Sequence, residues 1–250
     1  MTLAAPESAP SSLQRPPRAR TRIKICGLTR EHDLDAAVAA GADAVGFVLY
    51  AASPRAVSVS RAAELAARLP PFVTPVLLFV NEPPESVLAA LERVPGATAQ
   101  FHGDETPAQC IDSTGAGRYR FLRAARIPLG TAGTDFDLVK YASDFSHAQA
   151  ILLDAHVDGF GGGGKAFDWS LLPSAVDAHF VLSGGLTPAN VADGIRQLRP
   201  RCRSLAVDVS SGVEADGPGN RMLKGIKDAG KIREFIAAVR QADLAASHQR

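Results

Sequence analysis

The sequence predicts an α/β fold, a single (β/α)8 TIM barrel preceded by a disordered N-terminal tail. From position 22 onward, short β-branched runs alternate with alanine- and leucine-rich segments of helical period, which is typical of βα units and a parallel sheet. Eight such units fit into about 225 residues, the size of a small barrel, whereas a doubly wound sheet normally has fewer strands. An eight-stranded sheet in another order is the alternative left open.

The predicted strands are the eight apolar runs, and the predicted helices lie between them. Helical period is clear in EHDLDAAVAA, RAAELAARL, PESVLAALERV, TPANVADGIRQL and AGKIREFIAAVR, and weakest between Pro128 and Ser146. In chain order the strands are Ile23 to Cys26, Ala44 to Val48, Val73 to Phe79, Ala97 to Phe101, Tyr119 to Leu122, Ala150 to Leu153, His179 to Leu182 and Leu205 to Val209.

Composition excludes several classes of protein. The chain has 27 basic and 26 acidic residues, so its net charge of +1 gives no footprint for nucleic acid or an anionic membrane. Three scattered cysteines suit neither a disulfide framework nor a zinc site, and no apolar run approaches the roughly 20 residues that span a bilayer. We therefore expect a cytoplasmic protein that binds any anionic ligand locally and uses no metal.

The first 21 residues differ in composition from the rest. They are rich in proline, serine, alanine and arginine and show neither an apolar signal-peptide core nor helical period. We expect a disordered tail over residues 1–21 and a barrel domain over residues 22–245. The arginines and the scarcity of acids leave organelle targeting open, although the prolines disfavour an amphipathic helix.

Chemically useful residues follow the apolar runs. In a parallel barrel the active site lies at the C-terminal ends of the strands, so these positions share one rim. Strand one ends at Cys26, strand four at His102, strand six at Asp154, strand seven at Ser183 and strand eight at Asp208. Five of the eight predicted strands thus bring polar or ionisable groups to that rim.

A phosphate site is predicted after the last two strands. SGG at 183–185 and SSG at 210–212 carry glycines that let backbone N–H groups approach an anion, at the place where such barrels bind phosphate. Thr187 and Pro188 predict the start of a helix close to this phosphate site, with Thr187 as the cap and Pro188 in the first turn. Each motif alone could be an ordinary turn, but the two together favour phosphate binding.

The segment GFGGGGKA at 159–166 matches the front of a nucleotide-binding P-loop. Ala166 replaces the serine or threonine that would hold Mg²⁺, and no long helix follows Lys165. We interpret the four glycines as a loop that closes over a ligand, with Lys165 placed to meet an anion.

Seven segments in order resemble one enzyme family, phosphoribosylanthranilate isomerase of tryptophan biosynthesis. The similarity covers about Arg22 to Arg240. Any one motif is weak, but seven at the right spacing are specific. They are KICGLTR (24–30), DAVGFVLYAASPRAVS (43–58), QFHGDE (100–105), LLDA (152–155), GGGGKAFDW (161–169), LSGGL (182–186) and VDVSSGVE (207–214).

The resemblance implies a cofactor-independent Amadori rearrangement of N-(5-phosphoribosyl)anthranilate. It assigns Cys26 as general base and Asp154 as general acid. The pKa of a free thiol is about 8.5, only modestly above working pH, and we expect backbone N–H groups at the strand end to stabilise the Cys26 thiolate. Asp154 must instead be held partly protonated, by burial or a nearby negative charge. Without the resemblance, we would interpret Cys26 as a buried core residue and Asp154 as a helix cap.

The resemblance also implies the substrate contacts. Arg55 pairs with the anthranilate carboxylate, Asp208 lies near the sugar or the aniline nitrogen, and His102 lines the pocket without a catalytic role. Lys165, in the glycine loop, contacts an anionic group of the substrate. Phosphate is held by Gly184, Gly185, Ser210, Ser211 and Gly212, largely through backbone N–H groups.

Three departures and two alternatives accompany this interpretation. Gly163 stands where many relatives carry threonine or serine, the segment after VDVSSGVE is longer than usual, and the tail lies outside the resemblance. A non-catalytic phosphosugar-binding barrel would share the phosphate motifs but would not need Cys26 and Asp154. A dual-specificity isomerase acting on the histidine-pathway aminoaldose is the other alternative. The ordinary amphipathic helices favour a monomer.

Overall fold

Eight parallel strands close into a barrel, which confirms the predicted fold class. The computed structural model describes residues 20–129, 135–155 and 168–248. Each barrel strand pairs with the next in chain order, and the last pairs with the first. The strands are β1 (Arg22–Cys26), β2 (Ala44–Val48), β3 (Thr74–Phe79), β4 (Thr98–Phe101), β5 (Phe121–Ile127), β6 (Ala150–Ala155), β7 (His179–Leu182) and β8 (Ser204–Val209).

Helices follow most strands and cover the outside of the barrel. Among the described residues, none of these helices combines the length and apolarity needed to cross a bilayer. They are α1 (Glu31–Ala40), α2 (Val59–Ala66), α3 (Pro84–Arg93), α4 (Pro107–Ser113), α5 (Leu138–Asp144), α6 (Val191–Leu198) and α7 (Ala229–His248).

Local sequence signals set several helix ends. Gly41 ends α1 in the left-handed conformation, at φ 95°, and its N–H closes back onto the last turn. The Thr106 side chain accepts from the Gln109 N–H, and the Gln109 side chain accepts from the Thr106 N–H, which forms a capping box for α4. These contacts satisfy N–H groups that no helical carbonyl can reach.

Several predicted boundaries are wrong, and two of them have a clear physical reason. β5 begins at Phe121 and continues to Ile127, past the predicted end at Leu122. The arginines in this stretch argue against a buried strand, but buried Arg123 is neutralised by an ion pair with Glu105 at 2.8 Å. α6 begins at Val191, four residues after the predicted start at Thr187. The Asn190 side chain accepts from the Thr187 N–H at 2.8 Å and donates to the Gly185 carbonyl at 2.9 Å, which makes this stretch a turn.

The long segment after β8 folds into a small hairpin. β9 (Glu214–Asp216) and β10 (Met222–Lys227) pair antiparallel outside the barrel. The hairpin returns the chain to α7 and carries Glu214 and Lys227, both buried, to the edge of the barrel mouth. Between β6 and β7 the described part of the chain contains a 3₁₀ helix, Trp169–Leu171.

Successive side chains of β1 point to opposite faces of the strand, so the core residues and the polar residues of this strand lie on different sides. Ile23 and Ile25 are buried in the main core, which lies between the barrel and its helices. Lys24 and Cys26 occupy the opposite face and point into the barrel. A small apolar cluster of Ala124, Leu152 and Val181 fills part of the interior. The barrel interior is therefore apolar in one part and polar near the C-terminal rim.

The packed domain includes Thr21, one residue before its predicted start at residue 22. Thr21, assigned above to the tail, is 1% exposed, and its N–H and hydroxyl donate to the Asp243 carboxylate at 2.8 and 2.7 Å. Asp243 lies on α7, so these bonds tie the start of the chain to its last helix. Residues 1–19 of the predicted tail lie outside the described residues.

Candidate active site

Side chains from four strands or strand ends form a continuous buried polar network in the barrel mouth. Lys24 Nζ donates to Asp208 Oδ1 and to Gln100 Oε1, both at 2.9 Å. Gln100 Nε2 lies 3.1 Å from His102 Nδ1, and His102 Nε2 lies 2.9 Å from Asp154 Oδ2. The barrel thus links two predicted substrate contacts, His102 and Asp208, to the proposed acid, Asp154.

Cys26 ends β1 beneath the rim and is 4% exposed. Gly46, its register partner on β2, makes room for the thiol, because a Cβ there would lie 2.6 Å from Cys26 Sγ. Burial raises the pKa of Cys26; Lys24 opposes this shift and Asp208 adds to it. The stabilised thiolate remains a prediction, and the buried surroundings of Cys26 oppose it.

Asp154 is the penultimate residue of β6, and both of its carboxylate oxygens are engaged. Oδ2 faces His102 Nε2, and Oδ1 accepts the Ala155 N–H at 2.9 Å. The residue is 6% exposed, so the expected burial is present. Asp154 is therefore buried near the C-terminal end of its strand, with a hydrogen bond on each oxygen.

Lys24 carries the central positive charge of the network. Burial alone would lower its pKa, but the Asp208 carboxylate and the nearby Cys26 outweigh it and raise the pKa. Lys24 and Asp208 are direct register partners on β1 and β8, and the Ser183 hydroxyl donates to Asp208 Oδ2 at 3.1 Å. Asp208 therefore holds fixed hydrogen bonds on both oxygens.

The two glycine motifs meet at the rim. Gly184 and Gly185 are left-handed, at φ 72° and 64°, and turn the chain after β7. A Cβ on Gly212 would lie 1.9 Å from the Leu186 carbonyl oxygen, so the segments after β7 and β8 are in direct backbone contact. Ser211 and Gly212 belong to a 3₁₀ helix, Ser211–Val213. The predicted phosphate residues thus form one neighbourhood.

Arg55 is buried and forms a two-bond pair with Glu214. Its Nε and Nη2 donate to Glu214 Oε1 and Oε2 at 2.7 and 2.8 Å. Lys227 Nζ lies 3.2 Å from Glu214 Oε1 and donates to the Ser210 carbonyl at 2.9 Å. Burial would raise the pKa of Glu214, but Arg55, Lys227 and the Gly225 N–H outweigh it and lower the pKa. Burial lowers the pKa of Lys227 despite Glu214.

The Arg55 guanidinium therefore has a protein partner, Glu214. Glu214 is bound by Nε and Nη2, which form one edge of the planar guanidinium group, and Nη1 lies on the other edge. Gly27 closes over this side chain, since a Cβ there would lie 2.7 Å from Arg55 Cδ and 3.1 Å from Ser210 Oγ. Arg55 therefore lies next to the predicted phosphate residue Ser210.

The sequence analysis gave no site role to four members of the site: Lys24, Gln100, Glu214 and Lys227. The missed signal for the first two is alternation: Lys24 shares a strand face with Cys26, and Gln100 shares one with His102. Glu214 and Lys227 lie on the hairpin, for which the sequence offered no such pattern. Lys165 lies outside the described residues. Among the described residues, no group of three or more histidine, cysteine, aspartate or glutamate side chains could hold a metal ion.

The closed barrel, the buried Cys26 and Asp154 at its C-terminal rim and the joined glycine turns define a class. It is the class of (β/α)8-barrel enzymes that act on anionic small molecules by acid–base chemistry. The family described as N-(5'phosphoribosyl)anthranilate (PRA) isomerase matches residues 23–238. The chain belongs to this family, which confirms the resemblance noted in the sequence.

Close relatives and solved structures agree with this assignment. The N-(5'-phosphoribosyl)anthranilate isomerase of Methylibium petroleiphilum is 61% identical over 90% of this chain and 96% of its own length. The crystal structure of the Thermotoga maritima isomerase has a TM-score of 0.73 at 39% identity, covering 88% of this chain and 99% of that one. A crystal structure in complex with reduced 1-(o-carboxyphenylamino)-1-deoxyribulose 5-phosphate has a TM-score of 0.68 at 35% identity, with the same coverage.

Proposed function

We propose that this chain isomerises N-(5'-phosphoribosyl)anthranilate to 1-(2-carboxyphenylamino)-1-deoxyribulose 5-phosphate in L-tryptophan biosynthesis. The observation that carries the proposal is the placement of Cys26 at the end of β1 and of Asp154 near the end of β6, where Asp154 packs against Gly184 of the glycine turn. Membership of the isomerase family supplies the substrate class.

The reaction needs one proton donor and one proton acceptor. The Asp154 carboxylic acid gives its proton to the furanose ring oxygen, the C1'–O bond breaks, and the anthranilate nitrogen lone pair forms a Schiff base. The Cys26 thiolate then removes the C2' proton, and these electrons neutralise the iminium to give an enolamine. Tautomerisation of the enolamine gives the aminoketose, so the sugar is rearranged without a net oxidant or reductant.

We propose that the charged ends of the substrate anchor it over these two groups. Gly184, Gly185, Ser210, Ser211 and Gly212 would bind the phosphate through N–H groups. Buried Lys227, which already contacts Ser210, would add positive charge there.

The opposite end of the substrate carries the anthranilate carboxylate. We propose that Arg55 binds it and that Asp208 and His102 line the sugar pocket. Glu214 uses the Nε and Nη2 edge of the Arg55 guanidinium, and a guanidinium fork suits a carboxylate. Lys165 is proposed to meet an anionic group of the substrate.

Substrate consumption by three proteins tests the proposal. Loss of phosphoribosylanthranilate fluorescence is followed for the wild type, Cys26→Ser and Asp154→Asn, with folding checked by circular dichroism. We expect each folded variant to lose about 10²- to 10⁴-fold in kcat, the usual contribution of a proton handler. A folded wild type that leaves the substrate intact would reject the function; a fully active Cys26→Ser would reject the assigned base.

Two other functions predict different results with the same protein. A phosphosugar-binding barrel would bind the substrate in calorimetry without consuming it. A dual-specificity isomerase would also convert the histidine-pathway aminoaldose, detected by chromatography. The buried thiol and carboxylate at the rim favour catalysis over mere binding, because binding needs neither.

We propose a cytoplasmic monomer. Cys26, Cys110 and Cys202 are buried and form no disulfide bond, which suits a reducing compartment. The strongest local argument against a monomer is Phe72, which is 99% exposed in the turn before β3. Sedimentation velocity giving the mass of one chain would support the monomer, and twice that mass would overturn it.

A further inference from the structure

A buried amide stands between the Lys24 ammonium and His102. Gln100 lies on β4 and is 0% exposed, so each of its polar atoms needs a partner inside the protein. Its Oε1 accepts from Lys24 Nζ at 2.9 Å, and its Nε2 faces His102 Nδ1 at 3.1 Å. The orientation of this amide decides what the histidine can do.

Lys24 permits one orientation of the amide. An ammonium group has donors and no acceptor, so the oxygen of Gln100 must face it. Lys24 is itself fixed by Asp208, at 2.9 Å, with both side chains about 5% exposed. Turning the amide over would set two donors against each other in a buried site and leave both unsatisfied.

The amide orientation then sets the tautomer of His102. Because Gln100 presents N–H to Nδ1, that ring nitrogen must be an unprotonated acceptor. The ring proton therefore resides on Nε2, which donates to Asp154 Oδ2 at 2.9 Å. An imidazolium would carry a second proton on Nδ1, directed at the Gln100 N–H.

The histidine then acts on Asp154 as a fixed donor. A doubly protonated His102 would lose its bond to Gln100, because Nδ1 could no longer accept. Oδ2 of Asp154 is therefore held by the His102 ring N–H, as Oδ1 is held by the Ala155 N–H. These two bonds fix the orientation of the carboxyl group.

We propose that Gln100, held by Lys24, is a positioning residue that keeps His102 a neutral Nε2–H donor and so fixes the orientation of the Asp154 carboxyl toward the substrate. The inference deepens the proposed isomerase function and rests on it. Gln100 acts through His102 and needs no contact with the substrate. His102 likewise acts on Asp154 without transferring a proton.

The first test reads the tautomer without any turnover. Long-range proton–nitrogen correlation spectra of protein carrying ¹⁵N-histidine distinguish protonated from unprotonated ring nitrogens, and loss of one signal set in His102→Asn assigns the residue. We expect His102 at neutral pH to be neutral, with the proton on Nε2. A proton on Nδ1, or an imidazolium, would overturn the inference even if the isomerase is fully active.

The second test changes one group of the amide. Gln100→Glu keeps an oxygen for Lys24 and presents a second oxygen to Nδ1, which stabilises the imidazolium. We expect His102 to become doubly protonated and kcat to fall about 10²-fold, the lower end of a general acid's contribution, with a smaller change in KM. The matched control is Gln149→Glu, an exposed glutamine immediately before β6, which should change neither.

The outcomes separate this inference from the proposed function. A wild type that isomerises the substrate while Gln100→Glu keeps both its tautomer and its kcat would reject the positioning role and leave the isomerase intact. A wild type with the expected tautomer but no turnover would reject the isomerase and, with it, the catalytic meaning of Gln100. If Gln100→Glu fails to fold, the wild-type spectrum still decides the tautomer.

Discussion

Gly184 and Asp154 lie so close that a Cβ on the glycine would be 2.6 Å from Asp154 Oδ1. The same atom would lie 2.7 Å from the Ala155 N–H nitrogen, the donor to that oxygen. The turn proposed to hold phosphate therefore also packs against the proposed acid. This contact joins the phosphate-binding and proton-transfer parts of the site.

Gly184→Ala should therefore damage catalysis more than folding. The methyl group must displace the Asp154 carboxylate, and we expect kcat to fall by about 10²-fold, the scale of a misplaced reacting group. Gly96→Ala is the matched control, because Gly96 has a similar φ of 78° but nothing within 4 Å of its Cβ. Both changes carry the backbone cost of about 1 kcal/mol in unfolding free energy, measured in urea. Equal kcat in the two variants would contradict the prediction.

The activity should rise with pH. Burial raises the pKa of Cys26, and the thiolate is the proposed base, so kcat/KM increases as the thiol ionises above the usual value of about 8.5. The profile is measured from about pH 6 to about pH 10, with Cys26→Ser as the control that should lose this limb. A profile that is already flat at neutral pH would show that the thiolate forms more easily than the buried site allows.

Arg55 and Glu214 should have separable roles in stability and binding. Arg55→Met leaves Glu214 buried with Lys227 as its remaining cationic partner, and we expect a loss of about 3–5 kcal/mol in unfolding free energy. Adding Glu214→Met should restore part of that stability without restoring KM, since the proposed contact to the anthranilate carboxylate is still missing. If the double variant has the KM of the wild type, Arg55 contributes to stability and not to substrate binding.

Gly212→Ala should weaken phosphate binding. Its Cβ would lie 1.9 Å from the Leu186 carbonyl oxygen, so the segments after β7 and β8 must separate. We expect a higher inhibition constant for inorganic phosphate and a higher substrate KM, measured by steady-state kinetics. Gly117→Ala serves as control because its Cβ would meet nothing within 4 Å. Unchanged phosphate inhibition in folded Gly212→Ala would place the phosphate elsewhere.

The sequence by itself determined the barrel and the positions of its chemistry. Alternation of apolar runs and helical segments predicted eight βα units, and strand ends predicted that Cys26, His102, Asp154 and Asp208 share one rim. These predictions hold because strand and helix periods are local and because parallel strands carry their carboxyl ends to the same side. The family motifs then narrowed the chemistry to one substrate class.

Tertiary structure alone decided how the charges are paired. Lys24 and Asp208 are 184 residues apart in the chain, and Arg55 and Glu214 are 159 apart, yet each pair is buried in direct contact. No local period encodes such pairs, because barrel closure and the hairpin after β8 bring them together. The tautomer of His102 follows from these long-range contacts, since its hydrogen-bond partners come from β4 and β6.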